Sequence, residues 1–160
     1  MPYFLLKLVP VRVTLRLLHL YWRLTRPMTL GVRGLVLDPQ GRVFLVKHSY
    51  VPGWHLPGGG VETGETLLQA LARELREEGN IEWTKPPELY GVYFNTGASR
   101  RDHVALFVIE HFRQPAPPVP DREIVAHGFY PPNALPKETT AGTRARIDEV
   151  VSGAKIAETW

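Results

Sequence analysis

The fold of this chain is decided by residues 56–82, LPGGGVETGETLLQALARELREEGNIE. Leucines at helical spacing predict a helix over about residues 66–78. At 100° per residue, Glu74, Glu77 and Glu78 share an arc of about 100° at the edge of the leucine stripe. Like charges three and four residues apart destabilise an isolated helix by a few tenths of a kcal/mol per pair. The pattern therefore indicates that a cation balances the three carboxylates.

The cation that suits this helix face is a hard one. Carboxylate oxygens without thiol or imidazole neighbours favour Mg²⁺ or Mn²⁺, which also bridge to phosphate oxygens. The alternative is a solvated acidic face balanced by Arg73 and Arg76. The glycines before the helix favour the cation, because Gly58 to Gly60 can present their backbone to a ligand without side chains in the way.

Loop and helix together resemble the Nudix box, a pattern of glycine, glutamate, Arg-Glu and Glu-Glu at fixed spacing. The matching residues are Gly59, Glu65, Arg73, Glu74, Leu75, Glu77, Glu78 and Ile81. The one departure is Asn80, where the family has glycine. That position closes the helix in a left-handed backbone, for which asparagine is the best substitute. The resemblance covers about residues 28–155 and implies an α/β fold, the Nudix α/β/α sandwich around a mixed β-sheet.

The resemblance also implies a metal site. By position, Glu74, Glu77 and Glu78 would bind Mg²⁺ or Mn²⁺ together with the carbonyl oxygen of Gly58. Glu74 is our first choice for the base that activates water. Glu123 matches a late acidic ligand of some family members, and its alternative role is that of a rim residue on its strand.

Two further box residues, Arg73 and Glu65, would hold the loop against the helix at the catalytic centre. The reaction implied by the resemblance is metal-dependent cleavage of the phosphoanhydride of a nucleoside diphosphate linked to another group, as in an NTP or a nucleotide sugar. Family sub-motifs for ADP-ribose, dinucleoside polyphosphates or NADH do not occur around Gly97. The substrate within this class therefore stays open.

Substrate contacts are predicted from aromatic and basic side chains outside the box. The candidates are Tyr50, Trp54 and Tyr93 for the base or sugar, and Arg100, Arg101 and His103 of the turn SRRDH for a phosphate. Aromatic residues at strand positions also suit the core. A basic turn also suits a solvated hairpin tip.

Composition narrows the class of protein. The chain has 160 residues, 44% of them hydrophobic, and no cysteine. The size suits one domain, and a cysteine-free chain has no disulfide, thiolate zinc site or cysteine nucleophile. Isomerisation of isoprenoids, which the fold also serves, is expected to need a catalytic cysteine. The alternative to an enzyme is a non-catalytic nucleotide-binding or regulatory module, although such relatives often lose box glutamates that are all present here.

Positive charge is concentrated at the start of the chain. Residues 1–37 carry six basic residues and no acidic one, so the remainder has a net charge of −3. A nucleic-acid footprint needs a basic face on the domain itself. We therefore expect no sequence-specific nucleic acid as a partner. The resemblance implies a nucleotide-type small molecule instead, and we expect a cytoplasmic location, which the absence of cysteine fits.

Residues 1–27 form an N-terminal extension before the Nudix domain, residues 28–160. Basic residues recur there at helical spacing, at Arg12, Arg16, His19 and Arg23. This predicts a basic amphipathic helix ended by Pro27, with no apolar run long enough for a signal peptide or a spanning helix. We expect its apolar side to pack on the domain or on a second subunit in a homodimer. The alternative is contact with an anionic membrane surface.

Short β segments follow this extension. TLGVRGLVLD and RVFLVKH, joined by the turn DPQG, are predicted to form a hairpin or a closely connected pair. ELYGVYFN and HVALFVIEHF predict a second pair around TGASRR, and EIVAHGFY predicts a further strand. A second domain helix is expected at about residues 140–152.

Overall fold

Three α-helices and eight strands make up the described part of the chain, which comprises residues 11–25, 27–120 and 122–160 of this computed structural model. The helices are α1 (Val11–Thr25), α2 (Leu67–Gly79) and α3 (Ala141–Ser152). The strands are β1 (Thr29–Val36), β2 (Val43–His48), β3 (Trp54–His55), β4 (Glu82–Trp83), β5 (Glu88–Phe94), β6 (Asp102–Ile109), β7 (Phe112–Arg113) and β8 (Ile124–Tyr130).

The strands form two three-stranded sheets and one two-stranded sheet. β1 runs parallel to β6, and β6 runs antiparallel to β5. β2 pairs antiparallel with β3 and β8, and β4 pairs with β7. The predicted pairing of β5 with β6 is confirmed, and so is the mixture of strand directions.

The prediction that β1 and β2 form a closely connected pair is confirmed, although the two strands do not pair along their length as a hairpin would. The Asp38 carboxylate reverses the chain between them by accepting the N–H groups of Gln40 and Arg42. Only an isolated bridge between Leu37 and Val43 follows, and β2 then pairs elsewhere. The second half of β1 is buried on both faces, which suits a strand covered by a helix on each face.

Helices α2 and α3 cover opposite faces of the sheets. Leu71 and Leu75 of α2 share one core cluster with Val36. Ile147 of α3 shares the other cluster with Leu35. Successive strand side chains point to opposite faces, so β1 contributes to both clusters. This layering is the expected α/β/α sandwich.

Both ends of α2 are fixed by hydrogen bonds. Thr66 and Gln69 form a capping box, each accepting the backbone N–H of the other. Asn80 ends the helix with φ 50° and ψ 38°, and among the described residues no other non-glycine has a positive φ. The N–H of Ile81 then donates to the carbonyl of Leu75 at 3.0 Å. The prediction of a left-handed backbone at Asn80 is confirmed.

Helix α1 ends at Thr25, close to the predicted end at Pro27. Every side chain from position 13 to position 25 is exposed, including Leu24 at 72% and Leu17 at 60%. The expectation that α1 packs its apolar side on its own domain is therefore wrong. The physical reason is that α2 and α3 already cover both faces of the core.

Packing of α1 on a second subunit stays a prediction. Residues 1–10 and Arg26 of the extension lie outside the described residues. In the part of the chain that the structure describes, no helix combines the length and apolar character needed to cross a bilayer.

Candidate active site

The glycine loop, residues 57–60, packs its backbone directly against β1. The N–H of Val32 donates to the carbonyl of Gly59 at 2.9 Å. Gly58 has a φ of 139°, and a Cβ at this position would lie 2.1 Å from the carbonyl oxygen of Val32. Only a residue without a side chain fits this approach. The contact with β1 therefore requires glycine at position 58.

Arg73 joins the glycine loop to helix α2. Its guanidinium donates to both carboxylate oxygens of Glu65 at 3.0 and 3.1 Å, to the carbonyl of Gly60 at 3.1 Å and to Glu74 Oε1 at 2.6 Å. Glu77 Oε2 lies 3.5 Å from the same guanidinium. The hydrogen bonds from Arg73 hold the pKa of Glu65 at about 2. Glu65 therefore stays ionised and keeps the loop attached across the neutral pH range.

Glu78 is the most buried carboxyl group of α2. Its Oε2 accepts the N–H of Gly58 at 2.7 Å, and its Oε1 lies 3.2 Å from Nε2 of His48. Burial raises the pKa of Glu78 to about 8, against the lowering effects of that N–H group and of Arg33. Burial also lowers the pKa of His48. Burial therefore favours the neutral form of both groups in this contact.

Glu74 and Glu77 share a helix face but differ in their surroundings. Burial raises the pKa of Glu74, and the hydrogen bond from Arg73 opposes this rise. A Cβ on Gly59 would lie 2.5 Å from Glu74 Oε1, so the loop backbone lies directly over this carboxylate. The Glu77 side chain is 60% exposed. Glu74 thus lies between the loop and the helix, while Glu77 faces solvent.

The carboxylate oxygens are suitable ligands for a hard divalent cation, but their positions in the structure do not form a complete coordination site. Within the described ranges, no three His, Asp or Glu side chains are grouped closely enough to hold a metal ion. Glu74 is turned toward Arg73 and Glu78 toward the N–H of Gly58. Burial nevertheless raises the pKa of both carboxyl groups, and a nearby positive charge is what would reverse that rise.

A cavity of about 310 Å³ opens beside the glycine loop, with Gly59 and Gly60 in its lining. Asp102 supplies a carboxylate to the lining, fixed by hydrogen bonds from Asn95 Nδ2 at 2.8 Å and Thr29 Oγ1 at 2.7 Å. The lining also contains a cation and an indole ring, from Arg33 and Trp160. The cavity therefore combines hydrogen-bonding groups with an aromatic surface next to the carboxylates.

Sequence reasoning missed the cavity residues. The sequence did contain an indication that Arg33 has a special role, because it is a charged residue inside the apolar strand TLGVRGLV. It donates to the carbonyl of Leu56 at 2.8 Å, and burial lowers its pKa while the charges of Glu78 and Glu74 raise it. No local sequence pattern predicts that Trp160 lines the cavity, because it reaches the cavity from a distant part of the sequence.

Tyr50 and Glu123 lie together near the carboxylates of α2. The Tyr50 hydroxyl donates to Glu123 Oε1 at 3.0 Å. Burial and this hydrogen bond raise the pKa of Tyr50 to about 12. The charge of Glu123 contributes to the raised pKa of Glu78, which places the two carboxyl groups within electrostatic reach of each other. The metal-ligand role of Glu123 stays a prediction.

The other predicted substrate contacts lie apart from this group. Trp54 packs edge-on against Tyr130, with ring centroids 5.1 Å apart. Arg100 and Arg101 are exposed at the tip between β5 and β6, and His103 stacks on the ring of Phe94. The nearby part of this hairpin that lines the cavity contains Ala98 and Asp102.

The structure places Tyr93 in the core, which corrects the prediction that it contacts substrate. Its side chain is fully buried, and its hydroxyl donates to Glu149 Oε2 at 2.9 Å. The guanidinium of Arg146 lies 4.2 Å from the ring centroid. Strand alternation turns Tyr93 toward α3, so its hydroxyl and ring are both used within the core.

Comparison with known proteins agrees with the resemblance to the Nudix box. The model of one family, described as the NUDIX domain, matches residues 27–150. An RNA pyrophosphohydrolase from Francisella tularensis subsp. mediasiatica is 50% identical over 44 residues, which is 28% of each chain. A MutT-like protein from Streptomyces ambofaciens is 38% identical over 68 residues, which is 42% of this chain and 44% of the relative. The matched part spans less than half the length of either relative.

Solved structures agree with the fold. A MutT NUDIX hydrolase from Burkholderia pseudomallei is 25% identical, with a TM-score of 0.67 over 77% of this chain and 98% of that one. An ADP-ribose pyrophosphatase from Streptococcus suis 89-1591 is 22% identical, with a TM-score of 0.58 over 82% of this chain and 96% of that one, and shows the fold alone. Because the family model covers most of the sequence and the box residues meet at one site, this chain belongs to the NUDIX domain family.

Proposed function

We propose that this protein is a metal-dependent pyrophosphohydrolase that cleaves the phosphoanhydride of a nucleoside diphosphate linked to another group. The observation that carries the proposal is the position of Glu74. Its carboxylate lies under the backbone of Gly59, and Gly59 also lines the cavity beside the loop. A phosphate chain that leaves the cavity along the loop therefore arrives at the carboxylates of α2.

The carboxylates of Glu74, Glu77 and Glu78, with the carbonyl of Gly58, would hold Mg²⁺ or Mn²⁺. When bound, the cation neutralises phosphate charge and lowers the pKa of the attacking water. As the base, Glu74 would take the proton of the attacking water while the water oxygen bonds to one phosphorus and the bridging P–O bond breaks, its electron pair going to the leaving phosphate oxygen. Glu77, Glu78 and the Gly58 carbonyl would then remain as the metal ligands.

Loop residues position the phosphates for this reaction. Arg73 and Glu65 keep the glycine loop attached to α2. Arg33 presents a second guanidinium at the cavity and lies within the electrostatic field of Glu74 and Glu78. Its charge would attract an anionic chain to the loop, and it favours the ionised form of both carboxyl groups.

The cavity would receive the nucleoside. The Asn95 and Asp102 side chains offer hydrogen-bonding atoms to the edge of a base, and the indole of Trp160 offers a surface for stacking. One relative is named an RNA pyrophosphohydrolase and one structural neighbour an ADP-ribose pyrophosphatase, so their names point to different substrates. The class of substrate therefore follows from the site, while the individual nucleotide is a matter for assay.

A substrate panel tests the proposal. The full chain is incubated with NTPs, nucleotide sugars, ADP-ribose and dinucleoside polyphosphates, with and without Mg²⁺ or Mn²⁺, and the products are separated by chromatography. We expect at least one compound to yield a nucleoside phosphate only when metal is present. If calorimetry detects binding of these compounds but none is cleaved, the protein is a non-catalytic nucleotide-binding module instead.

Metal binding is predicted to stabilise the wild-type protein more than Glu78→Gln. Mg²⁺ or Mn²⁺ that binds only the folded state raises the melting temperature, and the variant lacks one ligand. The pKa of Glu78 is raised from 4.5 to about 8. Its contribution to metal-free stability is therefore present at low pH and is lost as the pH rises from about 4.5 to about 8.

Because a cation competes with the proton on Glu78, the wild-type shift in melting temperature should be larger at about pH 8.5 than at about pH 6.5. Glu78→Gln should show a smaller difference between the two conditions. Differential scanning fluorimetry measures both shifts. Equal shifts in the two proteins at both pH values would remove Glu78 from the set of metal ligands.

A further inference from the structure

The surface of α1 divides into a narrow basic stripe and a wide apolar arc. At 100° per residue, Arg16, His19 and Arg23 fall within about 60°. Apolar side chains are spread over an arc of about 220° around the rest of the helix, with Thr14 and Thr25 near its middle. The apolar members of the arc are Val13, Leu15, Leu17, Leu18, Leu20, Tyr21, Trp22 and Leu24, all of them exposed.

The width of the apolar arc decides what kind of partner can cover it. A helix that packs on a protein surface needs an apolar stripe of roughly 100°. A second copy of α1 packed on this arc would leave about half of it in water. A bilayer interface surrounds a helix on three sides and can receive an arc of this width.

The charge of α1 favours an anionic membrane surface as its partner. Residues 1–37 contain no acidic residue. Two copies of α1 packed through their apolar arcs would turn their basic stripes to opposite outer sides, where α1 itself offers no carboxylate to pair with them. An anionic lipid surface supplies the opposite charge and attracts basic side chains near it.

We propose that α1 lies in the interface of an anionic membrane, with its apolar arc in the acyl region and its basic stripe at the phosphate headgroups. Tyr21 and Trp22 suit this depth, because their side chains combine an apolar body with a polar atom. This places the protein on a membrane surface without spanning it. The alternative named in the sequence analysis thereby replaces the expected packing on protein.

Membrane binding would hold the cavity close to the lipid surface. Only three residues separate the end of α1 at Thr25 from the start of β1 at Thr29. Thr29, Leu30 and Gly31 line the cavity. The exposed Met28 in the connection continues the apolar surface. The proposal stands whether or not the cavity carries out hydrolysis, because it depends on α1 alone.

Co-sedimentation of the full chain with vesicles tests this inference. The probes are vesicles of phosphatidylcholine alone and of phosphatidylcholine mixed with phosphatidylglycerol. We expect binding to the mixed vesicles to be at least about tenfold stronger, and to weaken as salt rises because salt screens the basic stripe. The double variant Leu17→Glu, Leu24→Glu should lose binding at least about tenfold, since it puts two charges in the apolar arc.

Val119→Glu is the matched control, because Val119 is 85% exposed outside α1. It should bind vesicles like the wild type. Circular dichroism and thermal unfolding check that each variant is folded. Absence of binding to both vesicle types, or equal binding by the double variant, overturns the proposal. A wild-type dimer that ignores vesicles and dissociates in the double variant overturns it in favour of a second copy.

Discussion

Replacement of Glu74 by glutamine should reduce turnover of the best substrate by at least about a hundredfold while the protein stays folded. The amide has nearly the same size but accepts no proton at neutral pH and is a weaker ligand for a hard cation. Glu74 is the carboxylate that lies directly under the glycine loop. Steady-state rates at saturating metal, with circular dichroism as the check on folding, measure the effect.

The matched control for this change is Glu82→Gln. It removes the same charge from an exposed ion pair with Arg113, outside the site. Exposed pairs contribute about 0 to 1 kcal/mol to stability, so this variant should keep both its rate and its fold. Near-normal turnover in Glu74→Gln would show that Glu74 is not the base and that another residue has this role.

Replacement of Gly58 by alanine should destabilise the fold by about 3 kcal/mol or more. The new Cβ would lie 2.1 Å from the carbonyl oxygen of Val32 and 2.9 Å from the Cα of Arg33. Both neighbours are backbone atoms of β1 and cannot turn aside as a side chain would. The φ of 139° is also unfavourable for alanine. Urea or thermal unfolding measures the loss.

Gly60→Ala provides the comparison within the same loop. No heavy atom lies within 4 Å of a Cβ built at Gly60. Its backbone φ is also outside the positive range. The stability of this variant should stay within about 0.5 kcal/mol of the wild type. Similar losses in the two variants would show that the contact of Gly58 with β1 does not set the requirement for glycine.

The sequence predicted those features that depend on neighbours along the chain. Helix α2, its end at Asn80 and the pairing of β5 with β6 each follow from a local pattern of spacing, backbone preference or turn. The roles of Arg73 and Glu65 come from the family pattern, and their contacts lie within one loop and one helix. Contacts between residues so close in the sequence leave few alternative arrangements of the chain.

Features that depend on distant partners were not predictable in the same way. β1 and β2 were expected to form a hairpin or a closely connected pair, but the long pairing of β1 is with β6, which lies far along the sequence. Trp160 reaches the cavity from a part of the sequence far from the box. Tyr93 could be read as a ligand contact or as core, and only the position of Glu149 decides between them.

The parallel pairing of β1 with β6 has a consequence for how the protein is made. Thr29 of β1 is bonded to Asp102 of β6, 73 residues later. At a synthesis rate of roughly 5 to 20 residues per second, β1 waits about 4 to 15 s for its partner to leave the ribosome. During that interval its unpaired edge and the apolar arc of α1 are exposed together on the nascent chain. This end of the protein is therefore the part of the nascent chain most open to association with other apolar surfaces before the domain closes.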